Sequence, residues 1–331
     1  MNEIIKLKQM AIDVYNKKPV SSFSVIETEG ALRKELNDMI KTDGKVDFYK
    51  FQANKWMVFQ IISESVDAVL PQKVLSVLDK YCETKQVAQG DKIRFKVKKG
   101  VARVKNFITK VGAGSNYEVA QLDSGYLDLV AYARGGGILV ELERFLDGTD
   151  SLVDLYDALM EGLEYRIYMD IQDALKALTS SVPANNYKVH AGFDATKMKA
   201  LINAIRTYGI PNLFCTPTFA ASVTPDTNFI GDADKEDVRN QGYIGRYAGC
   251  NTILMPQSYL DETNTTEVLD NQYGYVIPSL ENKIIKLAFE GNSIMEDVRN
   301  ADGSMEFQIY KKFAIGTVFV NTLGIFRNTA L

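Results

Sequence analysis

A chain of 331 residues, 46% hydrophobic and 24% charged, can bury a large core and suits two or more compact units, which excludes disorder and fibrous repeats. Its formal net charge of -4 argues against a surface built to grip nucleic acid phosphates, because that affinity comes from clustered Lys and Arg; a container around nucleic acid needs no such surface. The three scattered cysteines, Cys82, Cys215 and Cys250, show no CxxC spacing and support neither a disulfide framework nor a zinc site, and no apolar run of about 18 residues marks a membrane span, so folding in a cytoplasm is expected.

Residues 1–55 form a polar opening with two helix-like pieces, Glu3 to Asn16 and Glu29 to Thr42, separated by "KKPVSSFSV". This is the pattern of an arm that needs a partner to bury its faces. Apolar density rises from Asn54 to Tyr81, and Pro71 is expected to open the helix "PQKVLSVLDKYC", where its missing N–H costs nothing. Ile93, Phe95 and Val97 then alternate with Arg94, Lys96 and Lys98, the mark of a strand with one apolar and one basic face. The alternation resumes after "VGAGSN", so Asp91 to Ala133 reads as a long projecting β-hairpin, and "RGGGILVELERFLDG" returns the chain to the body.

Ser151 to Thr179 is the clearest element, with Leu152, Leu155, Leu159, Leu163, Ile167, Ile171 and Leu175 at steps of three and four. At 1.5 Å per residue such a helix is roughly 40 Å long. Ser151 with Asp154 three residues on suits a capped start. Residues 183–282 read as mixed α/β, with "DATKMKALINAIRTYG" as a helix, and Lys283 to Asn328 returns to strands joined by the turn "NADGS".

The candidate chemical sites favour structural readings. "VGAGSNY" has Tyr117 where a dinucleotide fingerprint wants a third small residue, and "RGGG" is followed by no GKS or GKT, so both are expected to be hinge or turn glycines. His190 is the only histidine and stands beside no GxSxG elbow. Asp232, Asp234, Glu236 and Asp237 lack the spacing of a calcium loop and read as a solvated acidic turn. In "GYIGRYAGCN" the glycines mark a turn between two short strands, with Cys250 as a small buried hydrophobe. No catalytic, cofactor-binding or metal-binding residue is identified, and the expectation is a protein that is not an enzyme and needs no cofactor.

The order of these elements resembles the tailed-phage major capsid protein family, whose fold is shared with encapsulin shells. "AYARGGGILVELERFLDGTDSLVDLYDALMEGLEYRIYMDIQDAL" carries the strongest local likeness, and "PNLFCTPTFAASV", "GYIGRYAGCNTILMPQSY" and "EDVRNADGSMEFQIYKKFAIGTVFVNTLGIFRN" follow as later landmarks. The resemblance implies an α+β fold. In it, residues 1–55 are an N-terminal arm, 85–135 an extended loop, 56–84 and 136–182 a peripheral domain with a spine helix, 183–282 an axial domain, and 283–331 strands returning to the peripheral domain.

Its implied function is a self-assembling icosahedral shell of hexamers and pentamers around double-stranded DNA, held without sequence-specific binding and without a membrane. A portal and a scaffold, either a separate protein or one already removed, are implied partners, the resemblance leaves a decoration protein open, and assembly is in the bacterial cytoplasm. The alternatives are an encapsulin-like nanocompartment and, third, a nucleotide-using or hydrolytic enzyme, against which the missing phosphate loop counts. Because in that family the extended loop lies across a neighbour's peripheral domain, the basic strip Lys92, Arg94, Lys96 and Lys98 is expected to meet the acidic stripe Asp154, Asp157, Glu161 and Glu164 of an adjacent copy.

Overall fold

The computed structural model of the chain describes residues 6, 9–10, 12–13, 31, 34–36, 38–42, 45–78, 81–98, 124–141, 144, 152–224, 232–280, 283–301, 304–318 and 320–331. The hairpin tip with "VGAGSN", and the cap residue Ser151, lie outside them.

Residues 6, 9–10, 12–13, 31, 34–36 and 38–40 are helical and precede a ribbon of two short strands, β1 (Lys41–Thr42) and β2 (Lys45–Val46). Helix α1 follows as one unbroken element, Phe48–Leu78, with Pro71 inside it. The expected helix start at Pro71 is therefore a mid-helix position. Val58, Phe59, Ile62, Val66 and Val69 before the proline, and Val74 and Leu78 after it, all lie in one core. At about 1.5–3 kcal/mol per buried side chain, that burial outweighs the roughly 3 kcal/mol cost of an interior proline. Leu36, Ile40 and Val46 are buried in the same core, with Met10, Ile12 and Met39 packed on it. The opening segment thus buries part of its apolar face in its own chain, and α1 runs through the expected boundary at residue 55.

Two sheets carry the rest. β3 (Cys82–Val87), β6 (Tyr132–Val140), β12 (Ile285–Arg299) and β13 (Met305–Thr317) form a four-stranded sheet in the order β3-β12-β13-β6. The turn between β12 and β13 is closed by Asn300 N–H donating to Ser304 O at 3.0 Å. β4 (Ile93–Lys98) and β5 (Ser124–Leu129) make the separate hairpin. Helix α2 (Leu152–Ala177) packs with α1 against one face of the four-stranded sheet.

The second sheet has the order β7-β14-β11-β8-β10-β9. Its strands are β7 (Tyr187–His190), β8 (Pro211–Cys215), β9 (Arg246–Tyr247), β10 (Cys250–Leu254), β11 (Tyr273–Pro278) and β14 (Gly324–Asn328). Helices α3 (Ala195–Arg206) and α4 (Pro217–Ser222) cover one face, and α5 (Asp232–Gln241) leads into β9. β14 corrects the expected domain plan: residues 283–331 do not all return to the layer of α2, because β14 pairs antiparallel with β11 and parallel with β7. Ile325 and Phe326 explain this, since they face opposite sides of that sheet and each fills a core.

The main core runs continuously between the sheets, joining α1, α2 and the four-stranded sheet to Phe214, Tyr275, Ile277 and Ile325 of the six-stranded one. Tyr81 meets Phe214 edge-on with ring centroids 4.3 Å apart. Polar stitches accompany it. Gln172 on α2 exchanges two 2.9 Å hydrogen bonds with the backbone of Asp270. Asp67 on α1 accepts from Ser293 and from the buried Lys311, whose ammonium also donates to Gly291 O at 2.7 Å, tying the helix to the bulge in β12.

Candidate functional site

The residues that could have carried chemistry are committed to structure. His190 lies on β7 with Nδ1 3.4 Å from Gly192 O and Nε2 3.9 Å from Asp194. Asp194 is the N-cap of α3, accepting from the N–H groups of Thr196 and Lys197, and the Lys197 N–H in particular holds its carboxyl below the usual range. Cys250 is fully buried, and burial pushes its thiol up to about 12, far from a reactive thiolate.

Its segment is a tight connection: Tyr247 pairs with Cys250, and Ala248 and Gly249 between them both take positive φ, 48° and 76°. That conformation suits glycine and strains alanine. The Arg206 guanidinium holds it by donating to Ala248 O. The acidic group Asp232 to Asp237 is not a turn but the first half of α5. Among the described residues no group of three or more His, Cys, Asp or Glu could hold a metal ion, and no helix is long and apolar enough to cross a membrane.

What the structure builds instead is a hairpin on a seat. Ile93, Phe95 and Val97 on β4 are buried, and Leu127 and Leu129 on β5 share their side. They rest on Ala288 of β12 and Ala314 of β13, a small cluster separate from the main core. A Cβ on Gly316 would come within 2.6 Å of Leu129 Cδ2, so glycine there lets the hairpin sit close. Lys286 closes the seat: its side chain is 1% exposed, its ammonium pairs with Glu83 and lies 5.8 Å from the Phe95 ring. Alternation along "ENKIIKLAFEG" puts Lys286 and Ala288 opposite Ile285, Leu287 and Phe289. Sequence alone reads that side as solvent, because the hairpin that covers it comes from almost two hundred residues away.

The basic strip and acidic stripe are now placed. Arg94 stands directly opposite Asp128 in the hairpin register and forms a two-pronged pair with it, Nε to Oδ1 at 2.7 Å and an amino nitrogen to Oδ2 at 2.9 Å, which holds the Asp128 carboxyl below its usual range. Lys92 and Lys96 are exposed. On α2, Asp157 and Glu161 are exposed, whereas Glu164 is buried and paired with Lys73 of α1. Asp154 and Lys98 lie within described elements, α2 and β4.

The "RGGG" glycines are neither a hinge nor a turn. They sit inside β6, the edge strand of its sheet, where Gly135 opposes Tyr310 and Gly137 opposes Gln308. A Cβ on Gly135 would stand 2.5 Å from Ile309 O, so the close approach to β13 requires glycine. Between this strand and α2 lies a groove of about 490 Å³, with Ala158, Leu159, Gly162 and Leu163 on its helix side. Arg134 and Arg166 close on Asp170 at 3.0 and 2.8 Å beside it.

A protein-family model described as "SPbeta prophage-derived putative capsid protein YonB" matches residues 6–327. Among solved structures the chain is similar to the asymmetric unit of the bacteriophage PhiM1 mature capsid, with 11% identity and a TM-score of 0.50, covering 75% of this chain and 86% of that one. It is similar to a structure from Microbacterium phage Oxtober96 at 10% identity and a TM-score of 0.51, over 77% and 90% of the two chains. The holo-SrpI encapsulin complex from Synechococcus elongatus gives 10% identity and a TM-score of 0.48, over 78% and 87%. No curated protein sequence matches the chain.

Proposed function

The chain belongs to the YonB family of prophage-derived capsid proteins, and from that premise we propose that it is the major capsid protein of a tailed bacteriophage, many copies of which close into an icosahedral shell around double-stranded DNA. The fold is the mixed helix and sheet fold of phage capsid subunits. The observation that carries the reading is the family match over residues 6–327.

The physical arrangement supports it. A hairpin that stands on a small seat of its own has few intramolecular neighbours and gains order from other subunits, and closure of a shell multiplies modest interfaces because each copy binds several others. The copies form hexamers and pentamers, helped by a separate scaffolding protein, closed by a portal and open to decoration, and they assemble in the host cytoplasm. With a net charge of -4, the shell encloses DNA without gripping it. Across neighbours, Lys92, Arg94, Lys96 and Lys98 of one hairpin lie near Asp154, Asp157 and Glu161 of the next copy; Glu164 contributes less, being buried beside Lys73 of α1.

Electron micrographs of the purified protein test this directly. Closed angular shells, filled with DNA when taken from lysing cells, are the expected result. Shells that enclose a protein cargo in place of DNA, or uniform monomers under all conditions, would overturn it.

A further inference from the structure

Helix α1 buries one face in the core and leaves the other open, and the open face is apolar. Tyr49, Ala53, Trp56, Met57 and Gln60 are all exposed, and their spacing of four, three, one and three residues keeps them on one helical stripe. Tyr49 is 85% exposed, Trp56 64% and Met57 38%. Single exposed hydrophobes are ordinary, but Tyr, Trp and Met gathered on one stripe are the residue types that anchor protein interfaces. Trp56 is also held in place before any partner arrives. Its ring meets Phe59 edge-on at 6.4 Å, and the Lys55 ammonium lies 5.2 Å over it while that ammonium is itself fixed by Asp297 at 2.9 Å. An anchor already ordered loses less entropy on docking.

We propose that this stripe is a contact between two copies of the chain, made by α1 packing antiparallel on α1 about a two-fold axis. The proposal rests on the shell reading, and it is the stripe's own pattern that selects a second copy. Its centre falls between Ala53 and Trp56. Turning one copy end for end sets the small Ala53 against the large Trp56 and Met57 and sets Tyr49 against Gln60.

Charge follows the same symmetry. Lys45 is exposed just ahead of the helix, and Glu64, which accepts a 2.9 Å hydrogen bond from Gln60, stands at the other end of the stripe. End-for-end pairing brings the lysine end of each copy to the glutamate end of the other. A two-fold contact requires a surface complementary to itself in this way, and a shell built on two-fold axes requires such contacts.

Trp56 is the only tryptophan, so its fluorescence reads the contact without a label. Assembly of the full-length chain is followed by light scattering and electron microscopy, and Trp56 emission is recorded in parallel. Emission is expected to move from the long wavelength of an exposed indole to a shorter one as the subunits associate. Ala53→Arg keeps the reporter and touches no core residue; it is expected to leave thermal unfolding unchanged, weaken association roughly tenfold or more and leave the emission at the exposed value. Lys45→Glu weakens association less, and Lys45→Glu with Glu64→Lys recovers it.

Shells that form with unshifted Trp56 emission overturn the contact and leave the capsid reading intact. Shielding that appears only when a separate scaffolding protein is added overturns it as well. A wild-type chain that never forms shells defeats the capsid reading, and a dimer with shielded Trp56 would even then uphold the contact.

Discussion

The two sheets solve the same burial problem in different ways. The six-stranded sheet is covered on both faces, so its central strands are buried almost throughout: all five residues of β8 are buried, and so are five of the six in β11. The four-stranded sheet is covered on one face by α1 and α2, and β13 alternates buried and open residues through Tyr310. Among the described residues its other face is closed only at the end where the hairpin sits. At the far end Leu139, Ile294, Val298 and Tyr310 stay open, with Leu139 61% exposed. One sheet is finished within the subunit, whereas the other carries the features that neighbours would complete.

The strongest way to break this comparison is to attack what the sheets share. Phe214 belongs to the six-stranded sheet yet is buried in the main core against Tyr81, so Phe214→Ala should cost about 3–5 kcal/mol and weaken both sheets together. The thiols supply the measurement. Cys82 marks the first sheet and Cys250 the second, and burial pushes each up to about 12, so labelling occurs only through opening. In Phe214→Ala the two should label at similarly raised rates. Acceleration at Cys250 alone would mean that the sheets open independently.

The same contrast explains what could be read from the chain. The hairpin strands, the long helix Leu152–Ala177 and the turn around Asn300 follow from local periodicity and turn chemistry, and all were legible. Pro71 escapes the local rule that places proline at a helix start, because the helix around it is decided by tertiary burial. β14 was misplaced because nothing local in "GIFRN" says which sheet it joins; its partners β7 and β11 are distant in sequence. The "RGGG" glycines read as a hinge or turn because their reason, the close approach of Ile309 and Tyr310, lies on another strand. Glu164 reads as part of the acidic stripe that faces an adjacent copy, but the crossing of α1 with its Lys73 buries it. The exposed stripe on α1 had a readable signal, Tyr49, Ala53, Trp56 and Met57 at helical spacing, but it only becomes informative once the opposite face is known to be the core.

A second test sharpens the comparison by acting on the hairpin seat alone. Gly316→Val sets a branched side chain where even a Cβ would meet Leu129 at 2.6 Å and Leu127 at 3.1 Å. Those atoms are the ends of flexible side chains, so overpacking of about 1–3 kcal/mol is expected. Hydrogen exchange should accelerate in β4 and β5 while β8 and β11 stay protected. Equal loss of protection in all four strands would show that the seat is part of the main core after all.

A third, smaller effect is a gain. Tyr168 on α2 and Tyr275 on β11 are fully buried, and neither hydroxyl has a hydrogen-bond partner among the described residues. Burial holds both phenols well above the usual tyrosine range. An unpaired buried hydroxyl costs about 1–3 kcal/mol, so Tyr168→Phe and Tyr275→Phe should each raise the melting temperature, by roughly 1 kcal/mol in stability. A loss in either variant would mean that the hydroxyl holds a buried water.

The weakest effect concerns exposed charges, and it belongs to rate more than to stability. Lys92 and Lys96 on the hairpin and Asp157 and Glu161 on α2 are exposed in the subunit, and exposed pairs contribute only about 0–1 kcal/mol each. Their sum is expected to steer an approaching subunit, because opposite charges on two surfaces act over about 8–10 Å before contact. Lys92→Glu with Lys96→Glu should therefore slow assembly at low salt, lose that difference at high salt, and leave the melting temperature of the subunit unchanged. Adding Asp157→Lys and Glu161→Lys restores attraction between copies and should recover part of the rate. Arg94 serves as the internal control, since its guanidinium is held by Asp128 of its own hairpin: Arg94→Gln should loosen the hairpin without changing the salt dependence. If the reversal leaves rate and salt dependence untouched, or the swap recovers nothing, the hairpin finds its neighbour by shape alone.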